Sequence, residues 1–162
     1  MNRLAEGRGA APVGHVDGLP PLELAAVLCL RLWCDGSDAQ VQLRREAALA
    51  LGPDWGPHWV DALGDFLEVM TRFSRRPLLR HGIDCRCLGA DESAVATLVA
   101  AAADGEREDA MLIGMLLVRP DMAPGLARLA ETVGHGLRRM SFTRTTPTTA
   151  GAGLHPAHPT RH

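Results

Sequence analysis

The 162-residue sequence contains no lysine and no tyrosine, and only three Trp and three Phe. All 17 basic residues are therefore arginine. Without lysine there is no GxxxxGK[ST] phosphate loop and no Schiff-base chemistry. No serine-centred elbow and no HExxH is present. With so few aromatic and β-branched residues the core must be aliphatic and alanine-rich, which favours helices over strands. The net charge of -2 argues against a nucleic-acid binder. Long hydrophobic runs are also missing. The most apolar stretch, Leu22 to Cys34, is interrupted by Glu23 and Arg31 and falls short of the ~20 residues a membrane span needs. It reads as a buried core helix. With no apolar signal segment near the start, the expectation is a cytoplasmic protein, not in a membrane, with its four cysteines reduced.

What is present is helical periodicity. The fold class predicted is all-α: a compact bundle of about six helices, the fourth to sixth forming an antiparallel up-down-up unit. Residues 1–19 and 142–162, rich in Gly, Ala, Pro and Thr without apolar periodicity, are expected to be disordered tails around one helical domain at 20–141. The first helix follows Pro20-Pro21 and ends at Asp35-Gly36. The second opens at Ser37, whose spacing to Gln40 matches a capping box, and stops at Gly52-Pro53. The third begins near Pro57 and carries Trp59, Leu63, Phe66, Met70 and Phe73 on one stripe. The fourth starts at Asp91-Glu92 and breaks at Asp104-Gly105. The fifth covers Glu106 to Val118, and the sixth follows Asp121.

Between the third and fourth helices lies "RHGIDCRCLGADE", Arg80 to Glu92. His81, Cys85 and Cys87 supply three soft ligands in a short span. Cys34, at the end of the first helix, is the candidate fourth for a tetrahedral zinc, or for iron. The spacing matches none of the paired Cys-x-x-Cys zinc signatures. In the plainer reading Ile83 and Leu88 plug a structural loop onto the core, and Cys87 behaves as a small apolar residue. A third reading is a reactive thiol. Arg72, Arg75, Arg76, Arg80 and Arg86 flank the segment, and positive neighbours favour thiolate. The same arginines could hold a phosphate or an acidic partner. Trp55 and Trp59, around the "GPDWGPHW" turn, form a second candidate partner contact.

No catalytic constellation is visible, so the reading leans away from an enzyme. A site dispersed over several helices would not show in the sequence. The function expected is an adaptor, assembly factor or regulator that binds another protein, through the cysteine loop and the arginine-rich end of the third helix. The alternative is a metal-binding or redox-responsive protein using His81, Cys85 and Cys87. The "MLIGMLL" run of the fifth helix carries more apolar surface than one stripe requires, which is compatible with a homodimer.

Overall fold

The computed structural model describes residues 8–145. Six α-helices account for most of them: α1 Pro21–Trp33, α2 Ser37–Leu51, α3 Trp55–Arg72, α4 Ala90–Ala103, α5 Arg107–Leu117 and α6 Ala123–Thr145. Helices α4, α5 and α6 pack on one another as an antiparallel unit, and α1 to α3 close the bundle around α4 and α6. Among the described residues no helix is long and apolar enough to cross a membrane.

The predicted stripe of α3 faces the core. Trp59, Leu63, Phe66 and Met70 are buried, while Phe73 lies just past the helix end. With few rings to fill the interior, close helix approach does the work. A Cβ on Gly134 of α6 would lie 2.6 Å from the Ala103 Cβ, and one on Gly136 would lie 2.1 Å from the Trp59 ring. These two glycines let α4 and the indole press against the α6 backbone. Trp59 Nε1 donates to the Val133 carbonyl at 3.0 Å, so its polar atom is satisfied inside. The expectation of Trp59 as a partner contact is corrected: the residue is 0% exposed. Trp55 is half-buried, with the Arg139 guanidinium over its ring.

Helix starts differ in detail from expectation. Ser37 caps nothing; Gly36 occupies the N-cap with a positive φ of 123°. The Gln40 amide instead reaches back to the Trp33 carbonyl at 2.9 Å, tying α2 to the end of α1. Gly52 ends α2 with a φ of 92°, where a side chain would be strained.

The larger difference is at the N-terminus. The expected disordered lead is folded from Arg8 onward. Strand β1 (Pro12–His15) pairs antiparallel with β2 (Cys87–Gly89), with an irregularity between Pro12 and Gly14. Val16 N donates to the Arg86 carbonyl, and Ala90 N to the Ala11 carbonyl. Val16 then buries itself with Val27, Leu88 and Ala96 in a small second core. The physical reason is that one buried valine and a few backbone hydrogen bonds suffice when a ready strand edge is available. At the other end α6 runs through the expected boundary at 142 and reaches Thr145. The rest of that expected tail, and residues 1–7, lie outside the described residues.

Candidate functional site

The segment from Phe73 to Arg86 has no regular structure of its own, yet it is tied down at every turn. Arg75 N donates to the Leu117 carbonyl, and Arg119 N to the Phe73 carbonyl, so the chain leaving α3 lies against the chain leaving α5. Further along, two acids in the first turn of α4 take over. Arg76 forks onto Asp91 at 2.8 and 2.6 Å, and Leu79 N donates to the same carboxylate. Burial favours the neutral form of Asp91, but Arg76 and the Leu79 amide outweigh it and hold the carboxyl below its ordinary value.

Glu92 is the centre. It is 0% exposed and faces Arg31, also 0% exposed, near the end of α1. Arg31 Nε donates to Oε1 at 2.7 Å and Nη2 to Oε2 at 2.9 Å. The rest of the fork reaches the loop: Nη1 donates to the Cys85 carbonyl at 2.6 Å and Nη2 to the Cys87 carbonyl at 2.7 Å. Glu92 in turn accepts from His81 N at 3.0 Å and Gly89 N at 2.9 Å. His81 Nδ1 lies 3.1 Å from Oε2. An ionised carboxylate can only accept, so the ring carries its proton on Nδ1. Burial opposes the charge on Glu92, yet the hydrogen bonds from Arg31, Gly89 and His81 prevail and hold its carboxyl at about 2. A buried pair of this kind is stable only when its remaining hydrogen-bonding capacity is met. Here no buried side-chain nitrogen or oxygen among the described residues lacks a partner.

The flanking arginines are largely spent inside the molecule. Arg72 pairs with Glu68 one turn back, and Arg75 donates to the Met115 carbonyl. Arg76 holds Asp91, and Arg80 donates to the Cys34 carbonyl. Arg86 pairs with Asp17, pinning the folded N-terminal segment to the loop. Arg75, Arg76 and Arg80 thus tether the loop to the bundle, Arg86 ties it to the N-terminal segment, and Arg72 is paired within α3.

The cysteines separate into three settings. Cys29 is buried in the core, and burial, with Glu46 adding, pushes its thiol up to about 12. Cys34 is exposed at the end of α1. Cys85 and Cys87 are half-buried on the loop. The neighbouring Cys85 thiol raises that of Cys87, against the opposing pull of Arg31. Among the described residues no three of His, Cys, Asp or Glu converge as a metal-holding group. His81, Cys34, Cys85 and Cys87 are thus not brought together as the tetrahedral set the spacing suggested. His81 turns inward to Glu92 instead.

A second feature lies on α5. Its inner face buries Ala110, Gly114 and Leu117, while Leu112 and Leu116, one turn apart, are 61% and 68% exposed. Glu106, Glu108 and Asp109 lie exposed at the N-terminal end of this face, and Arg119 and Arg75 lie exposed at the other. No protein-family model, curated protein or solved structure matches this chain.

Sequence reasoning missed Arg31 and Glu92 as a pair. A signal was present. A lone arginine in a helix apolar nearly all round must find a carboxylate, and Glu92 stands where a first-turn acid can turn inward.

Proposed function

We propose that this chain acts by binding another protein, as an adaptor, assembly factor or regulator, and that the outer face of α5 is its contact surface. The observation that carries the reading is the pair of exposed leucines, Leu112 and Leu116, standing one turn apart between an acidic and a basic end. Large apolar side chains grouped on a polar rim mark interaction sites. The charge order specifies the partner's pattern. A helix laid antiparallel would set its basic end on Glu108 and Asp109 and its acidic end by Arg75 and Arg119. A second copy of α5 fits that description under a two-fold axis, since the face is self-complementary. Arg119 also pairs with Asp121, which tempers its charge.

Covering four such leucines in a self-pair yields roughly 4–8 kcal/mol gross, offset by at least about 4 kcal/mol for association. The self-pair is therefore weak, with a dissociation constant of about 1 mM at its tightest. A partner offering a longer apolar stripe would displace it. The four free thiols among the described residues suit a reducing, cytoplasmic setting.

Sedimentation equilibrium from about 50 µM to about 1 mM tests the reading. The weight-average mass should rise with concentration, and the double variant Leu112→Ser/Leu116→Ser should stay monomeric with unchanged helicity. A wild-type chain that remains monomeric throughout, or a double variant that associates as the wild type does, would refute it.

A further inference from the structure

The cysteine loop carries a separate inference, independent of α5. Cys85 and Cys87 bracket Arg86; β2 begins at Cys87, and the bond from Val16 N to the Arg86 carbonyl carries its pairing one residue further back. In extended backbone, residues two apart point to the same side and the one between points away. The contacts agree. Arg86 turns outward to Asp17, while the carbonyls of Cys85 and Cys87 converge on the single Arg31 guanidinium at 2.6 and 2.7 Å. A planar, buried fork making four hydrogen bonds thus fixes the backbone of both cysteines at once. Both side chains remain accessible, each half-buried. They also lie near enough to influence one another. The scaffold thus fixes the backbone spacing of this dithiol before any ligand arrives.

Zinc is a poor fit for that pair. It wants four ligands in a tetrahedron, and no third or fourth His, Cys, Asp or Glu among the described residues joins the two thiols. A disulfide is a poor fit too, because a ring closed across one intervening residue strains the required dihedral. A two-coordinate soft ion suits it, since thiolate ligands select Cu(I) and two sulfurs complete its shell.

We infer that Cys85 and Cys87 form a bis-thiolate site for a two-coordinate thiophilic monovalent ion, Cu(I). Binding displaces two protons: Cu+ and two thiols give one anionic Cu(SR)2 unit and two H+, with no change of oxidation state. The product carries one negative charge. It sits beside the Arg31 guanidinium, which already holds the carbonyls of both cysteines and favours negative charge there. Cys34 and His81 take no part, because one lies exposed at the end of α1 and the other is turned to Glu92.

The test is an anaerobic titration of reduced, tag-free full-length protein with Cu(I), in competition with a coloured Cu(I) chelator. The readouts are copper withdrawn from the chelator and protons released. The wild type and Cys34→Ser should each withdraw one equivalent and release two protons. Cys85→Ser and Cys87→Ser should each weaken binding by at least about 100-fold, since even outer-shell partners of metal ligands are worth 10–100-fold. X-ray absorption at the copper edge should show two sulfur neighbours and no nitrogen. Equal binding by Cys85→Ser and the wild type would overturn the site, as would a requirement for Cys34 or a histidine shell. So would conversion of the pair to a disulfide in place of copper uptake. Unchanged thermal melting of the two serine variants keeps loss of binding distinct from loss of fold.

Discussion

Replacing Glu92 by Gln removes one charge and almost no volume from the best-connected point of the fold. The carboxylate receives Arg31 through two nitrogens, the backbone N–H groups of His81 and Gly89, and the His81 ring. Glutamine keeps one acceptor oxygen and turns a donor NH2 toward groups that are themselves donors. The Arg31 guanidinium then stays buried with its charge uncompensated, a situation that costs about 3–5 kcal/mol. A domain of this size has about 5–15 kcal/mol in total, so about a fifth or more of the stability should go. At roughly 3 °C per kcal/mol, the melting temperature should fall by about 10–15 °C. Urea and thermal unfolding followed by circular dichroism at 222 nm would measure it. Arg72→Ala, which breaks the exposed pair with Glu68, is the control and should cost at most about 0.5 kcal/mol. The pH dependence supplies a second arm. The folded carboxyl, at about 2, lies below its ordinary value of 4.5. Its contribution is complete above the ordinary value and is lost as pH falls toward about 2. The gap between wild type and variant should therefore close over that acid window and be constant above it. A Gln variant within about 1 kcal/mol of wild type near pH 7 would show that the charges are not buried together, and the account of the loop would fail with it.

Two further outcomes are expected. Gly136→Ala places a methyl 2.1 Å from the Trp59 ring and should cost about 1–3 kcal/mol by overpacking; a neutral result in chemical denaturation would mean that the indole does not rest on α6. Deleting residues 1–15 removes the strand that pairs with Cys87–Gly89 and should speed amide exchange over the loop while leaving α3 and α6 protected. Uniform loss of protection would contradict a locally attached N-terminal segment.

Much of the bundle was legible in the sequence because helix periodicity is a local signal. The α3 stripe and the stops at Gly52 and Gly105 follow from spacing and from backbone freedom. Strand β1 was not legible. Its four residues are all exposed and alternate nothing, and its reason for being extended is an edge presented by residues far away in the chain. The Ser37–Gln40 spacing misled because the Gln40 amide donates to the Trp33 carbonyl instead of accepting from the backbone at the start of α2. At the loop, the sequence drew attention to the residue types that carry chemistry, while its order depends on Arg31 and Glu92, which sit in helices and bring little local pattern of their own. The flanking arginines, counted as a patch, are divided among acids and carbonyls that only the tertiary fold places within reach.

The contacts that Arg31 and Glu92 make to the segment use main-chain atoms almost throughout: the carbonyls of Cys85 and Cys87 and the amides of His81 and Gly89. Peptide groups are common to every amino acid, so Ile83, Asp84, Cys85, Arg86 and Cys87 can be exchanged without dismantling the anchor. The loop is therefore a display platform: inheritance can rewrite what it shows to solvent at little expense to folding, and its outward-facing chemistry can diverge faster than the helices beneath it.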